Sequence, residues 1–144
     1  ILRKILSFLK KKKDIVSDVS HFKERKNCNF LGNIEKLGKF YKKIDIVVFP
    51  SRMNALGRPI IEASSFAIPS IVCLKKVFND TIIKDKTGII IKFGDVQNFV
   101  NAIYKYKNNY NLRKKYGRNA YKLHKLTHNY AKNIDKLGKL YSSS

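Results

Sequence analysis

Three short apolar runs constrain this chain more than anything else in it: "IDIVVF" at Ile44–Phe49, "PSIVCL" at Pro69–Leu74 and "GIIIKF" at Gly88–Phe93. Each is rich in β-branched residues, which are stiff at χ1 and suit extended backbone. None alternates as a strand with one wet face does, and continuous apolar strands buried on both faces belong to parallel sheets. Parallel strands need long crossovers, and the intervening segments have helical spacing. "NIEKLGKFYKKI" sets Ile34, Leu37 and Tyr41 on one face before the first run. "GRPIIEASSFA" sets Ile60, Ala63, Ser64 and Ala67 on one face between the first run and the second, with Pro59 in the first turn, where a missing N–H costs little. Strand, helix and strand at these lengths form a βαβ unit with a right-handed crossover, so the fold class is α/β. Beyond Phe93, "GDVQNFVNAIYKYK" reads as a helix capped by Asp95, Asn109 to Tyr141 as basic helix, and the closing serines, 142–144, as a frayed tail.

Charge is the next constraint. Lys and Arg number 31 against 10 Asp and Glu, a formal net charge of +21. Lysine supplies 25 of the 31 and travels with Asn, Ile, Tyr and Phe, all of A/T-rich codons, so coding bias explains the excess as readily as a polyanionic partner does. Cys28 and Cys73 are isolated, which fits a reducing cytoplasm and provides no metal framework. His124 and His128 lie four apart on a helix but lack a third ligand, so they read as solvated helix residues. No stretch approaches the run of about 20 apolar residues that a membrane span needs. The opening "ILRKILSFLKKKK" is amphipathic, with Ile1, Ile5, Leu6 and Leu9 on one stripe, and packing on a sheet explains it more simply than membrane binding does. It has no small-residue signal cleavage site. The chain starts with Ile rather than Met, so a missing N-terminal part is expected.

One window escapes the lysines. Between Lys43 and Lys75 the only charged residues are Asp45, Arg52, Arg58 and Glu62. Pro50–Gly57 is a loop leaving the carboxyl end of the first strand, where ligands of open parallel sheets bind. Gly57 permits close backbone approach, the following helix start offers N–H groups and a positive dipole end to phosphate, and Glu62 can accept hydrogen bonds from ligand hydroxyls. Simpler readings stand beside these: Gly57 as an N-cap, Asn54 as a turn residue, Arg58 as a solvated helix start and Glu62 as a complement to the dipole.

The order of pieces resembles the C-terminal half of retaining, nucleotide-sugar-dependent glycosyltransferases of the GT-B fold, the family-four type. "FLGNIEKLGKFYKKIDIVVFPS", "NALGRPIIEASSFAIPSIV", "KDKTGIII", "KFGD" and "NLRKKYGRNA" follow that family's pattern in sequence, from about Asn29 to Tyr141. The resemblance implies a Rossmann-like, donor-binding domain over 29–141, with 1–28 an irregular or truncated start. It also implies a parent enzyme that moves a sugar from a UDP- or GDP-sugar to a glycan or lipid-linked acceptor. Of the family's two motif glutamates, the second matches Glu62 and inherits a ribose role, while the first falls on Asn54, which hydrogen-bonds but carries no negative charge. Ser51, Ala55, Leu56, Gly57 and Arg58 complete the donor-binding set. The family's glycine-rich turn is replaced by a bulkier one, with Asp80 at its acidic position. Lys75 and Lys76 there either compensate toward a diphosphate or are ordinary surface lysines. No catalytic residue is assigned. No metal or cofactor is implied, since the nucleotide sugar is the substrate.

The expected partners are that donor, the acceptor and the missing N-terminal GT-B domain. The expected setting is cytoplasmic, with an anionic membrane surface at the inner face as a further partner. A rival reading is a basic, non-catalytic module for nucleic acid or anionic membrane: from Tyr104 to Leu140 eleven Lys or Arg face one acid, Asp135, among tyrosines able to stack on bases. No base-reading motif accompanies them, so nucleic acid is the weaker partner. A degenerate relative that keeps the fold without the reaction is a third reading, allowed by Asn54 and Asp80.

Overall fold

A computed structural model describes residues 26–29, 31–51, 57–73 and 80–142. The chain divides into two compact units, Ile1–Phe40 and Tyr41–Ser144. The described part of the first holds a turn, Gly32 at φ 61° and most of a short helix, α1 (Leu37–Tyr41), whose last residue opens the second unit. The spacing argument predicted a longer helix that would include Ile34. The like charges of Lys36 and Lys39, three residues apart, disfavour that extension.

The second unit has the order β1 (Val47–Phe49), α2 (Arg58–Ser65), β2 (Ser70–Cys73), β3 (Gly88–Ile91), α3 (Val96–Asn108), α4 (Tyr110–Thr127) and α5 (Tyr130–Ser142). The three strands form one parallel sheet in the order β1-β2-β3, in register Val48 with Ile71 and Ile71 with Ile89. The α/β class is therefore as the apolar runs require. Burial on both faces holds throughout β2 alone. Among the described residues β1 pairs on one side only, and Val48 is 37% exposed, because burial follows sheet position as well as sequence.

Successive β2 residues feed opposite layers. Ile71 joins Ile89, Ala102, Tyr106 and Tyr116 beneath α3 and α4, whereas Val72 joins Ile60 and Ile82 beneath α2. The rings of Tyr106 and Tyr116 meet edge to face at 6.0 Å and 86°, a favoured aromatic geometry. Asp95 caps α3 by accepting from the Asn98 N–H at 3.1 Å, and Asn109 caps α4 by accepting from that of Leu112 at 2.8 Å. The basic C-terminal stretch is two helices, since α4 ends at Thr127 with His128 as its C-cap, and the second continues through Ser142 rather than fraying at 142.

The end of α2 also departs from expectation. The helix stops at Ser65, so Ala67 is off its buried face. Ile68 N–H reaches the Ala63 carbonyl at 3.0 Å and Ala67 N–H that of Ser64 at 3.1 Å, which is the Schellman closure. That closure puts Ala67 at φ 56°, where a Cβ is strained and glycine is usual. Against this turn lies Gly117 of α4, at which any Cβ would fall 2.0 Å from the Ala67 carbonyl oxygen. Only glycine fits there.

The two histidines are half-buried rather than solvated. Ser64 Oγ donates to the Ile61 carbonyl at 2.6 Å, so it receives the Nδ1–H of His124, 3.2 Å away, and that contact sets the tautomer. The His124 and His128 rings lie 5.4 Å apart, and His128 Nε2 is buried without a partner. Burial first, and then His128, hold His124 below the ordinary histidine value. Among the described residues no cluster of three or more His, Cys, Asp or Glu could hold a metal ion.

Two outcomes follow from this packing. Ala67→Gly should stabilise the chain by about 1 kcal/mol, because relief of the left-handed strain exceeds the entropy cost of glycine, and denaturant unfolding measures it. For His124 the folded value is depressed, so the unfolded chain binds the proton more readily and stability rises with pH between the two values. The unfolding midpoint should hold above pH 6.5 and drop as pH falls below it. In His124→Gln that part of the slope should be missing.

Candidate functional site

The carboxyl ends of the strands lie at Phe49, Cys73 and Ile91. The segments leaving them carry Ser51, Gly57 and Arg58 after β1 and Gly94 and Asp95 after β3. At the end of β1 the chain bends at once, with the Ser51 N–H donating to the Phe49 carbonyl at 3.1 Å. Gly57 is the N-cap of α2 with φ −77°, an ordinary extended conformation. A Cβ there would fall 2.5 Å from Phe49 Cζ, so any larger residue requires the ring to shift. The close approach that a glycine permits is thus filled by a ring of the chain's own first strand.

The start of α2 offers fewer free donors than a generic helix start. Pro59 has no N–H, and the Ile60 N–H donates to the Gly57 carbonyl at 3.1 Å. Arg58 is exposed beside them and adds a positive charge. Asn54, Ala55 and Leu56 lie outside the described residues, as do Lys75 and Lys76. Asp80 is exposed and accepts only a long bond from Thr81 Oγ1, at 3.4 Å.

Glu62, in the second turn of α2, is held. Its Oε2 accepts from the hydroxyl of Tyr41 at 2.8 Å, across 21 residues of chain. Tyr41 is 4% exposed and stacks on Phe66 at 5.3 Å and 15°. Burial first, then this bond and the charge of Glu62, push its hydroxyl up to about 12, so it is a neutral donor at ordinary pH. Tyr41 had read only as one apolar position of a helical stripe. A phenol in such a stripe carries a hydroxyl that needs a partner once buried, and that was the signal available.

The other isolated charge of the low-lysine window, Asp45, pairs with Arg113 Nη2 at 3.4 Å. Its side chain is mostly exposed, so the pair contributes little, but Arg113 also donates to the Tyr106 carbonyl at 2.9 Å and ties α4 to α3. Tyr41, Lys42, Asp45, Phe66, Pro69 and Lys114 line a polar cleft of about 260 Å³ beside the segments that enter β1 and β2. At the carboxyl end of β2, burial and then Asp95 raise the Cys73 thiol, which disfavours a thiolate nucleophile.

The basic helices hold several of their aromatics against their own cations. Arg113 and Lys114 each lie 5.4 Å from the Tyr110 ring, and Lys125 lies 4.9 Å from that of Tyr121. A base stacking on these rings has to displace them. No helix among the described residues is long and apolar enough to cross a membrane.

Comparison with known proteins bears on this arrangement. The curated relative CapM, a capsular polysaccharide biosynthesis glycosyltransferase of Staphylococcus aureus, is 27% identical over 106 residues, covering 74% of this chain and 28% of CapM. Sucrose-phosphate synthase of Thermosynechococcus elongatus superposes with a TM-score of 0.79 at 24% identity, over 90% of this chain and 33% of that one. Anabaena HepE, solved with UDP, gives 0.80 at 16% identity, over 90% of this chain and 36% of that one. The chain thus spans 28% to 36% of the length of these relatives, and the solved structures share its Rossmann-like fold, the C-terminal half of GT-B. The profile described as "Glycosyl transferases group 1" matches residues 10–123, from the basic opening into α4 and across the whole sheet. On a match of that extent, the chain belongs to the glycosyl transferases group 1 family.

Proposed function

We propose that this chain is the nucleotide-sugar-binding part of a glycosyltransferase that moves a sugar from a UDP- or GDP-sugar to a glycan or lipid-linked acceptor. The observation that carries the reading is Glu62: a carboxylate fixed by a buried phenol on the helix that follows β1. Family membership supplies the reaction class, and HepE, a structural relative, was solved with UDP and with UDP-glucose. In this reading Glu62 accepts from the nucleotide's ribose hydroxyls. Ser51, Asn54, Ala55, Leu56, Gly57 and Arg58 border the donor, and Lys75, Lys76 and Asp80 stand toward its diphosphate. The nucleotide sugar is substrate, and no cofactor takes part. Leaving-group charge falls to basic side chains and backbone N–H groups. The parent enzyme works in the cytoplasm, at the inner membrane face when its acceptor is a lipid.

Charged hydrogen bonds are worth roughly 1.5–3 kcal/mol, so Glu62→Ala should weaken UDP or GDP binding by about tenfold or more. Calorimetry on the two folded proteins decides it. Equal affinities would remove Glu62 from the site.

The chain on its own should transfer no sugar. Holding donor and acceptor together supplies as much as roughly 7–11 kcal/mol of an enzyme's advantage, and this chain corresponds to 28% of CapM. Incubation with labelled UDP- and GDP-sugars and a panel of glycan and lipid acceptors should leave the label untransferred. Turnover of about 1 s⁻¹ or faster would show that no second domain is needed.

A further inference from the structure

We infer that Tyr41 is a positioning residue for ribose recognition: its hydroxyl holds one carboxylate oxygen of Glu62, so that the carboxylate meets the nucleotide's hydroxyls already set in place. The inference rests on the reading of Glu62 given above. Three observations support it beyond a simple tether. The bond is well formed, at 2.8 Å, and its donor comes from a separate element 21 residues earlier. The Tyr41 ring cannot swing away, since it is buried and clamped flat on Phe66 at 5.3 Å. Finally, the partner is neutral. In a chain with 31 basic residues, Glu62 makes no ion pair among the described residues, and its one described side-chain partner is a phenol.

That choice of partner has a chemical consequence. A lysine or arginine would fix the carboxylate equally well but would offset its charge, weakening it as an acceptor for a ligand. A phenol raised to about 12 donates one hydrogen bond and leaves the negative charge in place. Each carboxylate oxygen accepts more than once, so Glu62 retains lone pairs for a vicinal diol. Preorganisation of this kind improves affinity by removing the cost of freezing a long side chain on binding.

The test is the preference for ribose rather than affinity alone, because a purely structural role would not alter it. Binding of UDP and of 2′,3′-dideoxy-UDP is measured by calorimetry on the full 144-residue chain, on Tyr41→Phe and on Glu62→Ala. The wild type should prefer UDP, and Glu62→Ala should abolish that preference. Tyr41→Phe should cut it about fivefold, as loss of one hydrogen bond implies, while affinity for the dideoxy nucleotide stays within about twofold. Phe66→Leu, which loosens the clamp and keeps the hydroxyl, should lower the preference by a smaller factor, and it decides the matter if Tyr41→Phe does not fold. A preference that is lost in Glu62→Ala but intact in Tyr41→Phe and Phe66→Leu would overturn the role of Tyr41 and leave Glu62 standing. No ribose preference in the wild type would overturn both.

Discussion

The burial of β2 is the constraint on which the second unit depends. Four consecutive residues, Ser70 to Cys73, are withdrawn from water on both faces. That is possible only if helices cover the two sides and a strand pairs along each edge. Ile71 and Val72 point into different layers, so the alternation of a single strand sorts the helices: α2 to one side, α3 and the first turns of α4 to the other, with the rest of α4 running on against α2. Even the polar member conforms, because the backbone of Ser70 pairs with both β1 and β3. Position in the sheet then separates three runs of similar composition. The central one is sealed, while the outer ones show partly exposed positions.

The site inherits its order from the same arrangement. The crossover that leaves β1 returns as α2, whose buried residues Ile60, Ala63 and Ser64 turn toward the core. This fixes the azimuth of Glu62 between them and water. Tyr41, at the entry to β1, then reaches a carboxylate already facing it. Gly57 belongs to the same logic, since the ring of Phe49 occupies the space its side chain would take. Fold and site therefore share residues, and a change at Phe49 or Phe66 acts on both.

The α/β class, the parallel strands and the cap at Asp95 were legible in the sequence because each rests on a local pattern: β-branched runs, crossover length and a polar residue before an apolar period. The features that were not legible are tertiary. Ala67 has helical spacing but falls past a Schellman closure, and no spacing rule reports a positive φ at alanine. His124 looked solvated because its serine partner lies 60 residues away. Ile34 continued a periodic stripe, but the helix begins only at Leu37. At the site, Glu62 stood out as one of four charges in a window without lysine, yet its partner was hidden in an unremarkable helical face. A long-range hydrogen bond leaves no trace in sequence beyond the polarity of the two residues that make it.

The contact between Gly117 and the Ala67 carbonyl has a mechanical consequence. It works as a register lock. Sliding α4 along the end of α2 by one position would bring Tyr116 or Arg118 onto a backbone oxygen that does not tolerate even a Cβ, so the small shear by which packed helices often accommodate motion is closed to this pair. The Asn119 bond to the Lys86 carbonyl at 3.0 Å pins the same stretch to the segment before β3. The lock holds along α4 as far as His128 and Asn129, where the helical ladder ends. Beyond that break no residue of α5 is buried.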